Sequence, residues 1–117
     1  MPGYVVHTER YRLIRTWSEF FQQYPLVIGP VWGDIPFEHD DDINPDSGMD
    51  TTLKRLAFIT PGNLLGIPAM PVPMGLSDGL PLGVQIYAER WREDLILDAG
   101  QKIEETMGLI TPIDPNW

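Results

Sequence analysis

The sequence predicts an α/β fold: a small sheet of about three strands, two of them forming a β-hairpin, packed with an N-terminal and a C-terminal helix. Three observations predict it. Tyr11, Ile14, Trp17, Phe21 and Tyr24 recur at three- and four-residue steps, the period of one helix face. Ala69–Met74 and Leu82–Tyr87 read as extended segments on either side of the turn-forming Ser77-Asp78-Gly79. Leu95, Ala99, Ile103 and Met107 then fall on one face of a second amphipathic helix. Residues 1–117 are expected to form one small domain, with a long acidic loop at 31–52.

Taken in order, the first helix is expected to start after Thr8, whose hydroxyl suits an N-cap, with Glu9 near the positive end of the helix dipole. Pro25 ends it, having no N–H to give and pushing Tyr24 out of the helical region. The aromatic stripe reads as core packing. Leu26-Val27-Ile28-Gly29 is an unbroken apolar run, which suits a strand covered on both faces. Val31 to about Thr51 shows little periodicity and has bends at Gly33, Pro36 and Pro45, so it reads as loop. Thr52–Ile59 is expected to be helical or irregular, and a short helical turn follows, stopped by Gly66.

In the hairpin, Gly79 supplies the positive φ of the turn. Pro71 and Pro73 lie two residues apart, so their missing N–H groups fall on one side of the first strand. That strand must pair toward its other side, where Leu82–Tyr87 is the natural partner. Glu93 and Asp94 open the last helix, Gly108 sits at its C′ position, and Pro112 and Pro115 keep the tail irregular.

Composition narrows the function classes. A chain of 117 residues, 43% hydrophobic and 10% aromatic, can bury a modest core. No apolar run approaches the roughly 20 residues of a membrane span, and the start Met1-Pro2-Gly3-Tyr4 lacks the features of a signal peptide. Without cysteine there is neither disulfide nor thiolate chemistry, and a cytoplasmic setting is the default. The net charge of −9 is concentrated in Asp34–Asp50, which holds seven acids and no Lys or Arg. Nucleic-acid binding needs clustered Lys and Arg, which the chain lacks.

Two motifs invite chemistry. Gly75-Leu76-Ser77-Asp78-Gly79 matches the G-x-S-x-G pattern of a nucleophile elbow. An elbow is followed by a helix, whereas a strand follows here, and both histidines, His7 and His39, precede the serine instead of following it. Ser77 is therefore read as a turn residue. The acidic loop fails as a calcium loop starting from Asp42: Asn44 and Asp46 fit, but Ser47 occupies the glycine position and Leu53 the bidentate glutamate position. A cation site through Glu38, His39, Asp40 and Asp42 competes with a plain solvated loop, and one histidine without cysteine makes a poor zinc site. No metal and no cofactor is expected, with Asp40 and Asp42 the alternative ligands.

Several segments together then resemble a known family. Asn63-Leu64-Leu65-Gly66-Ile67-Pro68-Ala69, Val72-Pro73, Asp78-Gly79-Leu80-Pro81-Leu82-Gly83-Val84-Gln85-Ile86, and Glu93–Glu104 with Leu97 and Ala99 resemble, in this order, the carboxy-terminal end of amidase signature enzymes. Phe20–Pro30 is similar to the helix-then-strand approach of that family, with Pro25 where an Asp is usual and Gly29 where a Thr is usual. The resemblance covers about residues 10–106 and implies a fragment of the amidase signature fold. It implies an activity, hydrolysis of carboxylic amides or transfer of the ammonia, through a serine, a second serine in a cis peptide and a lysine base. That catalytic core matches nothing here: Lys54 and Lys102 are the only lysines, and Ser18, Ser47 and Ser77 correspond to none of its positions.

The chain is therefore expected to be an inactive carboxy-terminal domain or fragment, with Trp32 as the candidate for a substrate-binding wall of the acyl pocket. An ordinary core tryptophan is the competing reading of Trp32. Two other functions stand beside this one: a binding or assembly module that complements a separate amino-terminal half, and an independent serine hydrolase using Ser77 or Ser47 with His39. An exposed apolar face and sheet edge also imply a homo-oligomer, a symmetric dimer in which strands or the 31–51 loops cover one another.

Overall fold

The computed structural model describes residues 2–46 and 48–108. Helix α1 spans Gly3–Gln23, strand β1 Leu26–Pro30, and a 3-10 turn Asp41–Ile43. Helices α2 (Gly48–Arg55) and α3 (Ile59–Leu65) follow, then strands β2 (Ala69–Ser77) and β3 (Leu80–Ala88), and helix α4 (Glu93–Met107). The sheet has three strands in the order β1-β3-β2, and both pairs are antiparallel. Among the described residues no helix is long and apolar enough to cross a membrane.

Helix α1 starts earlier than the Thr8 cap predicts. Pro2, extended at φ −62° and ψ 142°, is the N-cap, and Thr8 lies inside the helix with its hydroxyl donating to the Tyr4 carbonyl at 2.8 Å. A threonine can bond back to i−4 as readily as it caps, and here the back-bond wins. The far end is as expected: the chain leaves the helix at Tyr24, before Pro25.

The aromatic stripe of α1 is only partly core. Phe21 is buried and Ile14 and Trp17 are half-buried, but Tyr11 is 64% exposed and Tyr24 56%. The reason is the packing partner: α1 rests against the seven-residue α3, which covers only part of a 21-residue face. Strand β1 departs from expectation in the same way. It is an edge strand, and Ile28 is 54% exposed instead of covered.

The hairpin forms where the turn chemistry places it. Ser77 pairs with Leu80, and Asp78 (φ 52°) and Gly79 (φ 79°) are the two left-handed turn residues, the type I′ geometry that matches strand twist. The register shifts between Pro73 and Gly75, leaving Met74 as a bulge. The prolines Pro71 and Pro73 are tolerated because β2 is the other edge of the sheet.

Strand β3 is central, and its last residues Gln85, Ile86, Tyr87 and Ala88 are buried on both faces. On one face Val72, Ile86 and Ala88 meet Ile96 of α4, with Met70, Leu95, Ala99 and Ile103 packed around them. The end of the Met70 side chain fills the space beside Gly100, where a Cβ would lie 2.0 Å from its Cε, so a side chain there would have to displace it. Met107 is exposed, so the α4 core face runs through Leu95, Ile96, Ala99, Gly100 and Ile103. On the other face the Tyr87 ring sits over Gly62 of α3 and 5.2 Å from the Phe58 ring. Gln85 Nε2 donates to the Tyr87 hydroxyl at 2.5 Å, and that hydroxyl donates to the Phe58 carbonyl at 3.1 Å. A buried amide is thereby satisfied by its strand neighbour two residues on.

The predicted acidic loop is organised by helix at its end. Gly48 opens α2 against the Asp42 backbone, where a Cβ would lie 2.5 Å from the Asp42 carbonyl oxygen. The expected stop of α3 is at Gly66, whose φ of 65° is a left-handed C-cap. Gly108 follows α4 at φ 82°. Pro112 and Pro115 of the tail, and Ser47, lie outside the described residues.

Candidate functional site

The candidate site lies where the segment after β1 folds against the hairpin. Strand β1 delivers Val31 and Trp32 beside β3, and the chain then turns at Gly33, whose N–H donates to the Arg55 carbonyl at 2.9 Å. The approach is close, since a Cβ on Gly33 would lie 3.0 Å from that oxygen. The turn brings Phe37 back over Trp32, the two rings stacked at 5.4 Å between centroids and 28° between planes. The Arg55 guanidinium lies 5.2 Å from the Phe37 ring centre on its face.

Arg55 also holds the loop by its charge. Its Nη1 donates to the Asp41 carboxylate at 2.8 Å and its Nη2 to Asp34 at 3.2 Å. These two hydrogen-bonded carboxylates hold the guanidinium pKa above its ordinary value, the Asp41 bond being the larger cause. A solvated acidic loop thus becomes a braced one, with its aromatic residues fixed in place.

The result is a cleft of about 530 Å³ between this loop and the hairpin. Trp32 and Phe37 form one wall, Pro71 and Pro73 of β2 and Leu82 of β3 the other, and Asp34 lies at its edge. Among the described residues its lining contains no serine, lysine or histidine. The half-buried Trp32 carries an indole Nε1–H that is buried with no acceptor among the described residues. Such a donor costs about 1–3 kcal/mol while unpaired. A cleft with flat apolar walls suits a planar or aliphatic group. A trough of about 630 Å³ between β2 and α4 is larger, but Gln101, Glu104 and Glu105 line it and no aromatic side chain does.

The other candidates stand apart from the cleft. Asp40 and Asp42 are both exposed; Asp40 lies 3.5 Å from His39, whose side chain is almost wholly in solvent. Among the described residues no group of three or more His, Asp or Glu is arranged to hold a metal ion. Ser77 ends β2 at the exposed hairpin turn, and Ser18 donates to Glu89. Lys102 is bonded to Asp98 at 2.7 Å. Phe37 and Arg55 are site residues that the pattern of the sequence does not single out. One signal existed: Lys54 and Arg55 are the first cations after seven acids.

Comparison with known proteins agrees with this architecture. An indoleacetamide hydrolase of Bradyrhizobium japonicum is 41% identical over 98 residues, covering 83% of this chain and 21% of that protein. A glutamyl-tRNA(Gln) amidotransferase chain of Thermotoga maritima superposes with a TM-score of 0.71 at 28% identity, over 82% of this chain and 20% of that one. A 6-aminohexanoate cyclic dimer hydrolase, solved with its substrate, gives a TM-score of 0.72 at 28% identity, over 89% and 23%. The chain thus spans about a fifth of the length of the relatives it matches. Its three-stranded antiparallel sheet with flanking helices is a piece of their fold. The model of the amidase family matches residues 5–97, and the chain belongs to that family.

Proposed function

We propose that this chain is the carboxy-terminal unit of an amide-processing enzyme, inactive by itself, which completes a larger sheet and contributes a wall of the acyl pocket through Trp32. The observation that carries this reading is the family match over residues 5–97 in a chain only about a fifth as long as its relatives. Side-chain chemistry supports it. A serine–lysine mechanism needs the two groups within hydrogen-bond reach, and the described pairs are instead Ser18 with Glu89 and Lys102 with Asp98.

The acyl group suited to the cleft is flat or aliphatic. The reaction is amide hydrolysis, or transfer of the released ammonia, with nucleophile, base and oxyanion donors all supplied by the remainder of an amidase polypeptide. Mixing the chain with an amino-terminal amidase fragment and assaying amide hydrolysis tests this. Activity in the mixture alone is the expected result. Activity of the 117-residue chain by itself that disappears in Ser77→Ala would overturn it.

The exposed aromatic residues of α1 favour a second role for the same chain, as an assembly module. Tyr4, Tyr11 and Tyr24, with Ile28 of β1, are exposed apolar side chains that a second copy or an amino-terminal amidase half would cover. Cytoplasmic residence is part of this proposal, from the cysteine-free composition.

A further inference from the structure

Two arginines 80 positions apart in sequence meet at the end of α3. Arg10 of α1 donates through Nε to the Leu64 carbonyl at 2.6 Å, and Arg90 after β3 donates through Nη2 to the Leu65 carbonyl at 2.6 Å. Both guanidiniums also approach Gly66: a Cβ there would lie 3.4 Å from Arg10 Nη2 and 3.5 Å from Arg90 Nη2. Two cations therefore share one spot, each bonded to a neutral carbonyl. Among the described residues neither has a carboxylate within 4.0 Å, although the chain carries 17 acids against eight Lys and Arg.

Capping the α3 carbonyls accounts for one donor of each arginine. It leaves the other N–H groups of both forks without a partner among the described residues and brings like charges together, a cost that the partial negative charge of the α3 terminus offsets only in part. Alongside is a solvent-open cleft of about 340 Å³ bounded by Gly66, Pro68, Arg90, Trp91 and Glu93. Trp91 is held there at φ 66° and is 86% exposed, a strained backbone that displays a large ring to solvent.

We propose that Arg10 and Arg90 form a carboxylate-binding site over Gly66. Glycine leaves the space above the α3 terminus open, and the two forks offer N–H pairs that match the spacing of carboxylate oxygens. Trp91 is the apolar wall for the group that bears the carboxylate. Glu93 selects among anions: one negative charge in the same cleft leaves room for a monoanion and disfavours a polyanion such as a phosphate ester. The carboxylate belongs either to a small organic acid or to an acidic side chain of an amino-terminal amidase half.

The test is a titration of the ¹⁵N-labelled chain with sodium acetate, ionic strength held constant with sodium chloride, following the Arg10 and Arg90 Nε–H signals and the Gly66 amide. Saturable shifts of all three are expected, with inorganic phosphate at the same pH weaker. Arg10→Gln keeps the Arg90 cap of α3 and weakens acetate binding about tenfold, the value of one charged hydrogen bond. Arg10→Lys, which keeps the charge but not the fork, weakens it as well. If Arg10→Gln does not fold, Arg10→Lys alone carries the comparison. Repeating the titration with an amino-terminal amidase fragment present separates the sources: acetate shifts that vanish show a carboxylate supplied by that polypeptide, and shifts that persist show a free acid. Absence of saturable shifts at Arg10 and Arg90, or shifts unchanged in the variant, overturns the proposal.

Discussion

Arg55 and Asp41, 14 residues apart, are joined by a 2.8 Å hydrogen-bonded ion pair, and through it the 3-10 turn at Asp41–Ile43 is tied to the end of α2. The same guanidinium holds Asp34 and lies over Phe37. Replacing it with methionine keeps length and apolar stem but releases both carboxylates and the ring. Arg55→Met is expected to red-shift the Trp32 emission and speed proteolytic cleavage between Asp34 and Asp46 about tenfold, while α4 and the hairpin keep their amide protection. Unchanged cleavage and emission would show that the loop is braced by something other than Arg55.

Gly62 gives a sharper test of packing. Alanine in a helix is normally favoured over glycine by about 1 kcal/mol. Here the added Cβ would lie 2.5 Å from the Tyr87 ring, and overpacking of that kind costs about 1–3 kcal/mol. The clash should win, so Gly62→Ala lowers the urea midpoint, and in a Tyr87→Leu background, where the ring is gone, the same substitution should cost little further. A stabilising Gly62→Ala would mean that the Tyr87 ring moves aside at little cost.

The Tyr87 hydroxyl also titrates abnormally. Burial raises its pKa above the ordinary 10.0, a shift that the hydrogen bond from Gln85 partly opposes. In the unfolded chain the proton leaves at the ordinary value, so this residue's contribution is fully present below about pH 10 and lost as pH rises through the folded value. Tyr87→Phe should cost about 1 kcal/mol at neutral pH by unpairing Gln85. The gap between variant and parent should then narrow above about pH 10, and a gap independent of pH would contradict the buried-phenol account.

How much of this was readable in the sequence depends on the range of the interactions. The hairpin, the stop at Gly66 and the end of α1 at Pro25 were legible because each rests on backbone chemistry within a few residues: an Asp-Gly pair at positive φ, a left-handed glycine, a missing N–H. The start of α1 was not, because Thr8 has two local hydrogen-bonding options and the sequence does not choose between them. Helix α2 was hidden because Met49 and Leu53 are exposed, so no apolar face marks it. Trp32 could be named from the resemblance, but its stacking partner Phe37, and the Arg55 that lies over Phe37, come from a chain reversal at Gly33 that no periodicity encodes. The exposed stripe on α1 reads as core in the sequence because periodicity reports an apolar face without saying what covers it.

The hairpin turn separates a structural serine from a catalytic one. Gly79 sits at φ 79°, where an L side chain costs about 1–2 kcal/mol, so Gly79→Ala should destabilise the chain by roughly that amount. Ser77 is exposed beside it and should tolerate alanine within about 0.5 kcal/mol. Thermal melts of the two variants side by side test this. Equal losses would mean that the Ser77 hydroxyl holds the turn.

The open surface on α1 and β1 carries the last prediction. Tyr4, Tyr11, Phe20, Tyr24 and Ile28 are all exposed on or next to one helix and one unpaired strand edge. We expect the strand edge, with its unpaired backbone donors and acceptors, and the exposed apolar side chains near it to be covered by a second chain. The isolated chain should therefore show concentration-dependent self-association in sedimentation velocity. Tyr11→Glu and Tyr24→Glu together should weaken it by at least about tenfold, since burying an unpaired charge costs well over 1.4 kcal/mol. Both positions are solvent-facing in the single chain, so its own fold survives the change. If the amino-terminal amidase half uses the same face, it competes with the self-associated form, and adding it should convert dimer to a one-to-one complex. A monodisperse monomer at every concentration, indifferent to both substitutions, would show that the aromatic stripe needs no cover.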